Sequence, residues 1–273
     1  MKILHIINKL STGGAHSLVA ELAIGQMMNG DEVSILELMP SPDDILRKRV
    51  TAVGVAMHTL HPIGNVYNPL VTFSIIPYLK GYDIIHVHLF PAQYWVAFAK
   101  LLSFSKAHIV TTEHSTNNKR RNGKFWGFVD RFVYNRYDKI IACADKALEL
   151  FQKQYPTLDS CFVPNGVDTS KYWNAESYPQ SEFSMNDEDF MVTMIARFDY
   201  PKRQDTIIEA IAKLPKNFHA VFAGGVPKKP NAIKCVELAN SLGIADRVHL
   251  LYVRSDVPRI LKTSDAIIMS SEY

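Results

Sequence analysis

Between residues 196 and 204 the chain reads Ala-Arg-Phe-Asp-Tyr-Pro-Lys-Arg-Gln. Arg197 and Lys202 are the pair whose chemistry is easiest to state. A guanidinium grips phosphate oxygens in a bidentate way, and an ammonium acts as a point charge. On one strand-end loop the two would converge on a diphosphate and offset about two negative charges as a nucleotide departs. The bland alternative is a solvated basic loop, which is what an arbitrary basic pair usually is. A second stretch, Phe222-Ala223-Gly224-Gly225-Val226-Pro227, is a glycine-rich turn that either approaches a nucleotide or simply joins a strand to a helix.

The first half has its own candidates. In Ser11-Thr12-Gly13-Gly14-Ala15, adjacent glycines allow a sharp turn and a close backbone approach, and the helix that follows offers N–H groups to an anion. The spacing is not that of a dinucleotide fingerprint, and a plain strand-to-helix turn is an equal reading. Thr111-Thr112-Glu113-His114-Ser115 ends a strand, where ligands gather in open α/β sheets. His114 could donate to a sugar hydroxyl, or serve structure alone. His86 and His88 share a strand face in a spacing that suits a metal, but the sequence offers no evident third ligand, so they read as polar groups near a cleft floor. Val163-Pro164-Asn165-Gly166-Val167-Asp168 closes the half. Asn165-Gly166 predicts a turn with positive φ.

These residues need a scaffold. Short runs rich in Ile and Val, apolar on both faces, predict parallel strands at Lys2–Ile7, Glu32–Leu38, Val55–Leu60, Ile84–His88, Ile109–Thr112, Lys139–Cys143 and Cys161–Val163. Amphipathic stretches at Ala15–Met28, Pro91–Ser103, Phe125–Asn135 and Asp145–Gln154 predict the helices between them. Residues 169–189 are polar and turn-rich, and read as an interdomain linker. The alternation then restarts, with strands at Phe190–Ile195, His219–Ala223, Val248–Leu251 and Ala266–Met269, and helices at Arg203–Lys213, Asn231–Leu242 and Val257–Thr263. The expectation is an α/β chain of two Rossmann-like domains, 1–168 and 190–273, the second incomplete.

Composition narrows the function classes. The net charge of +3 is too weak for a nucleic-acid footprint. Three isolated cysteines, Cys143, Cys161 and Cys235, form no metal spacing and no disulfide framework, which points to a reducing compartment. No signal peptide or spanning segment is evident, so a cytoplasmic location is expected, with peripheral contact to the inner face of the plasma membrane as an option.

No single motif decides, but the set does. The chain resembles retaining glycosyltransferases of the GT-B fold, the large family-four group that includes sucrose synthases, phosphatidylinositol mannosyltransferases and many capsule and lipopolysaccharide enzymes. The resemblance runs from Gly13-Gly14 through His114, Val163–Asp168 and the Arg-x4-Lys loop. It continues into Leu242-Gly243-Ile244-Ala245-Asp246-Arg247-Val248, Asp256-Val257-Pro258 and Ser264-Asp265-Ala266. It implies a nucleotide-sugar donor held mainly by the second domain and a glycan or lipid-linked acceptor on the first. Arg197 and Lys202 would bind the donor diphosphate. Gly14 and Gly224 would let the backbone approach the donor, and His114 would contact the transferred sugar. Gly13, Asn165 and Gly166 would line the acceptor side. No cofactor and no metal is expected, because the basic pair takes that role. Cell-surface polysaccharide synthesis is the expected setting.

The chain departs from that pattern in two places. Ser270-Ser271-Glu272-Tyr273 stops before the family's Glu-x7-Glu motif, and Glu272 is not expected to replace either glutamate. The expectation is a truncated chain of weak or no activity, which robust turnover would overturn. Tyr252 stands where relatives often have Gly, leaving the base open. Lys119-Arg120-Arg121-Asn122-Gly123-Lys124-Phe125-Trp126-Gly127-Phe128, followed by Arg131-Phe132, suits either an anionic lipid surface or a helix with its aromatics packed inward. A nicotinamide dehydrogenase is disfavoured by the first glycine turn. A phosphorylase, a GT-B sugar-nucleotide epimerase and a non-catalytic binding fragment stay open as alternatives.

Overall fold

The computed structural model describes residues 1–11, 13–41, 45–61, 64–114 and 124–272. The chain divides into two compact units, Met1–Val167 and Asp168–Tyr273.

Unit 1 contains seven parallel strands among its described residues: β1 (Lys2–Ile7), β2 (Glu32–Glu37), β3 (Ala56–Thr59), β4 (Ile84–His88), β5 (His108–Glu113), β6 (Lys139–Ala142) and β7 (Ser160–Phe162). Their order across the sheet is β3-β2-β1-β4-β5-β6-β7. Crossovers run through α1 (Gly14–Met28), α2 (Ile45–Ala52), α3 (Val71–Ile75), α4 (Ala92–Ser103), α5 (Lys124–Tyr134) and α6 (Asp145–Gln154). Strand pleat sends alternate side chains to opposite faces. Leu4, Ile6, Ile85, Val87 and Ile109 therefore join the cluster under α4 and α5, with Val133, Tyr134 and Phe151. Ile3, Ile7 and Ile84 pack on the other face against Val19, Ala20 and Ala23 of α1. His5, His86 and His88 occupy that second face too, because they share its strand parity.

Unit 2 has β8 (Phe190–Ile195), β9 (Phe218–Ala223), β10 (Val248–Tyr252) and β11 (Ala266–Ile267) in the order β10-β9-β8-β11, all parallel. Its helices are α7 (Thr169–Trp173), α8 (Gln204–Ile211), α9 (Pro230–Ser241) and α10 (Val257–Thr263). Val192, Met194, Ala220 and Phe222 face α8 and α9, while Met191, Val221 and Ala223 face Ile260 of α10. Both units are thus Rossmann-like, and in each the strand order reverses once at a point flanked by the first strand: β1/β4 in unit 1 and β8/β11 in unit 2.

Two expectations need revision. The stretch 169–189 is not a free linker but part of unit 2. It carries α7 and a short 3-10 turn (Gln180–Phe183), buries Phe183 and Met185 beside Met191, and sends the Tyr178 hydroxyl to Asp256 Oδ2 at 2.6 Å. Its polar composition reflects capping: Asp168 accepts from the Ser170 N–H at 3.1 Å. Asn165-Gly166 does not form a positive-φ turn, since neither residue has a left-handed backbone. Both are exposed after β7. The helices α2 and α3 escaped the sequence reading because each is too short for a clear 3.6-residue pattern.

Candidate functional site

In unit 2 the Arg-x4-Lys segment leaves the carboxyl end of β8, as the sequence implies. Ala196 N–H still bonds to Ala223 O at 2.9 Å, so the segment departs directly beside the glycine turn that follows β9. The contact is tight. A Cβ on Gly224 would lie 2.7 Å from Ala196 O, and one on Gly225 would lie 3.0 Å from Phe198 N. Both glycines also have positive φ, +117° and +74°. Only glycine fits both demands. Gly224 N–H is further tied to Tyr252 O at 2.5 Å. Packing between loops therefore accounts for these glycines whatever else they do.

Phe198 anchors the segment, 2 % exposed, while Arg197 points outward with its side chain 71 % exposed. The Arg197 guanidinium sits 3.3 Å from Asp199, and its carbonyl accepts from Gln204 Nε2 at 2.9 Å. Lys202 Nζ reaches Ser271 Oγ at 3.4 Å. Residues after β11 close against the same segment. Ser270 Oγ donates to the carbonyls of Lys202 and Arg203 at 2.8 Å each, and Glu272 N–H bonds to Pro201 O at 2.9 Å. The Glu272 carboxylate is taken by Arg203 at 2.8 Å. Arg203 also grips Asp205, and the two carboxylates hold its guanidinium firmly charged. Arg197 and Lys202 thus share one loop at the reversal point of the sheet, where open α/β sheets collect ligands.

In unit 1 the loop after β1 leads to Gly13, whose φ of +149° and ψ of 158° suit glycine, and to Gly14 at the first turn of α1. A Cβ on Gly14 would meet nothing within 4 Å, so space rather than packing distinguishes it. Glu37 fixes this loop. It is fully buried, accepts from the Leu10 N–H at 2.9 Å and pairs with Arg47. Asn8 clamps the same loop to the one after β4, donating to Phe90 O at 2.7 Å and accepting from Ala92 N–H at 3.1 Å. Neither residue was singled out from sequence, since an isolated Asn or Glu gives no periodic signal.

His114 follows β5, partly buried, with its Nε2 shielded and without a hydrogen-bond partner among the described residues. Burial lowers its pKa, with the Glu113 charge opposing, so at neutral pH it is a neutral imidazole. Beneath it lies a buried polar set also missed from sequence. Gln93 Nε2 donates to Thr111 Oγ1 at 2.9 Å and to Glu113 Oε1 at 3.1 Å, and the Tyr134 hydroxyl donates to the same carboxylate oxygen. This set holds the end of β5, and with it His114. The fold also supplies the third histidine that the sequence did not show: His5 lies against His86 and His88, with ligand nitrogens within 4.8 Å of one another.

The basic-aromatic stretch is only partly visible, because residues 115–123 lie outside the described residues. Within α5, Phe132 stacks on Phe98 with centroids 6.0 Å apart, whereas Trp126 and Phe128 are 48 % and 74 % exposed. The aromatics therefore split between core and surface. Among the described residues no helix is long and apolar enough to cross a membrane.

This arrangement, two Rossmann-like units with a basic loop at the reversal point of the second, is that of a GT-B glycosyltransferase. Residues 12–171 match Glycosyltransferase Family 4 and residues 180–273 match Glycosyl transferases group 1. The chain belongs to glycosyltransferase family 4, and is a transferase. Among solved structures, Anabaena HepE in complex with UDP and glucose is similar over 99% of this chain and 74% of its own, at 18% identity and a TM-score of 0.81. Sucrose-phosphate synthase of Thermosynechococcus elongatus matches over 100% and 76%, at 14% identity and a TM-score of 0.71. WaaG, a glycosyltransferase involved in lipopolysaccharide biosynthesis, matches over 99% and 75%, at 16% identity and a TM-score of 0.65. At these identities the likeness concerns the fold. No curated protein matches the chain.

Proposed function

We propose that the chain moves a sugar from a nucleotide-sugar donor held by unit 2 to a glycan or lipid-linked acceptor on unit 1, with retention of anomeric configuration. The observation that carries this reading is the exposed Arg197 guanidinium, on the loop that also carries Lys202 and is locked by Gly224 and Gly225 at the reversal point of the sheet. Charge developing on the leaving diphosphate would meet two cations, with Arg197 turning to it from Asp199, and their positive charge would stabilise the transition state. In this reading no metal takes part in the transfer step, because the basic pair fills that role. HepE, crystallised with UDP and glucose, supports a uridine nucleotide as the first donor to try.

The unpartnered Nε2 of neutral His114 would hydrogen-bond a hydroxyl or ring oxygen of the transferred sugar, near the reacting carbon. Gly14 leaves room for a phosphate or acceptor oxygen at the N-terminus of α1. Gly13 shapes that turn, and exposed Asn165 and Gly166 complete the acceptor side. A front-face route fits this set. The leaving phosphate would take the acceptor proton as the glycosidic bond breaks, through an oxocarbenium-like transition state. Cell-surface polysaccharide synthesis is the proposed setting, with Trp126 and Phe128 of α5 touching the membrane beside a lipid-linked acceptor. Absence of co-sedimentation with anionic liposomes would reject that last element.

The test is a transfer assay with UDP-, GDP- and ADP-sugars that reads nucleotide release and the anomeric configuration of the product by NMR. One donor class should be used, the configuration retained, and the rate lowered at least about 100-fold in His114→Ala. An inverted product would overturn the retaining mechanism. Nucleotide-sugar binding with no transfer to any acceptor would favour a binding fragment instead.

A further inference from the structure

Three imidazoles meet at the reversal point of the first sheet. His5 on β1 stands in register with His86 on β4, and His88 follows two residues later on the same face. All three are buried, at 0 %, 7 % and 0 % exposure. Among the described residues they are the one group of three His, Cys, Asp or Glu side chains whose ligand atoms all lie within 4.8 Å of one another.

The hydrogen bonds around them have a direction. The Gln26 carbonyl oxygen stands 2.7 Å from His5 Nε2, so that nitrogen carries the proton and His5 Nδ1 presents a lone pair. His86 Nε2 is likewise held by Thr112 Oγ1 at 2.8 Å. These are the outer contacts that orient metal-ligating histidines, in which the ring nitrogen away from the ion is tied to an oxygen. His5 Nδ1 and His88 Nε2 are 3.1 Å apart. That separation is near the roughly 3.3 Å edge of a tetrahedron built from zinc–nitrogen bonds of about 2.0–2.1 Å. His88 differs from the other two in having no outer contact, since its Nδ1 is buried with no partner among the described residues.

We propose that His5, His86 and His88 form a site for one divalent ion of the zinc class within unit 1, next to His114, whose ring centroid lies 5.8 Å from that of His88. A His-x-His pair on one strand with a third His from its neighbour supplies three of the four positions of a tetrahedral ion. Neutral imidazole is the ligand form that such ions take. Burial keeps all three rings neutral, lowering His5 to about 4 and the other two well below their ordinary value. The ion would tie β1 to β4 where the loops carrying Gly13-Gly14 and Asn8 leave the sheet. It adds a metal in a structural role, while the basic pair of unit 2 keeps the leaving group.

The experiment uses the full chain, stripped with a chelator and titrated with Zn²⁺ and with Co²⁺. The expected result is one ion per chain by calorimetry, tetrahedral cobalt absorption, and a higher Tm in the presence of zinc. His5→Gln and His88→Gln should each weaken binding at least about 100-fold, and His108→Gln, at an exposed site, should leave it unchanged. Gln26→Leu keeps all three ligands and removes only the outer contact, so it stands in if a histidine variant fails to fold. It should weaken binding about 10- to 100-fold. A folded chain that takes up no ion, or one whose affinity is unchanged in both His88→Gln and Gln26→Leu, would overturn the proposal.

Discussion

At the reversal point of its sheet, unit 1 carries His5, His86 and His88 almost wholly out of solvent, whereas unit 2 carries Arg197 with its side chain 71 % exposed. The topologies there are alike: a first strand flanked by the second and the fourth, all parallel. What differs is how each unit holds polar groups in place. Unit 1 buries neutral imidazoles and orients them through Gln26 and Thr112. Unit 2 keeps the Arg197 guanidinium in water and packs the backbone on either side of it against Gly224 and Gly225. Burying a cation would cost several kcal/mol, so a charged site is best kept solvated until an anionic ligand arrives. Neutral rings can be buried in advance at far lower cost.

That contrast can be broken by pH, with the largest effect expected. Histidines whose folded pKa is depressed contribute stability above the unfolded value of about 6.5 and lose it as pH falls toward the folded value. For His5, held near 4 by burial, the loss across that window is on the order of 3 kcal/mol. His86 and His88 act in the same direction. In chelator-treated protein, the amide protection factors of β1 and β4, taken relative to the intrinsic exchange rate at each pH, should fall between pH 7 and pH 5 more than those of β8 and β9. An equal fall in protection in both sheets would remove the distinction.

The glycines sharpen the comparison from the other side. Gly224→Ala should destabilise unit 2 by roughly 2–3 kcal/mol in urea unfolding, because the new Cβ meets Ala196 O at 2.7 Å in a left-handed backbone. Gly14→Ala has open space and a helical position, and should raise stability by up to about 1 kcal/mol. If it also weakens donor or acceptor binding, the room at Gly14 serves a ligand rather than the fold.

Tyr252 gives the smallest effect. It holds φ at +54°, a backbone that costs a non-glycine residue about 1–2 kcal/mol. Tyr252→Gly should raise the Tm slightly. A lower Tm would mean that the ring's packing beside Phe198, with centroids 6.3 Å apart, outweighs the strain.

Much of this was legible in the sequence. Runs such as Lys2–Ile7, Ile84–His88 and Phe190–Ile195 match their strands end for end, because central parallel strands are apolar on both faces and stand out from amphipathic helices. The Arg-x4-Lys loop was legible because its spacing is local. The histidine cluster was not. His5 and His88 lie 83 positions apart, and only strand order and register bring them together. Nor was the reason for Gly224 visible, since its contact is with backbone 28 positions away, at Ala196. The segment 169–189 misled because capping residues in short helices have the composition of a loop.

The central claim is that the loop carrying Arg197 and Lys202 binds the donor nucleotide through its diphosphate. Calorimetry with UDP, GDP and ADP on this chain and on Arg197→Ala tests it most directly. One nucleotide should bind, and the variant should lose at least about tenfold in affinity with an unchanged Tm, because that side chain is exposed. Binding that survives Arg197→Ala at full strength, and Lys202→Ala as well, would place the diphosphate elsewhere and contradict the account.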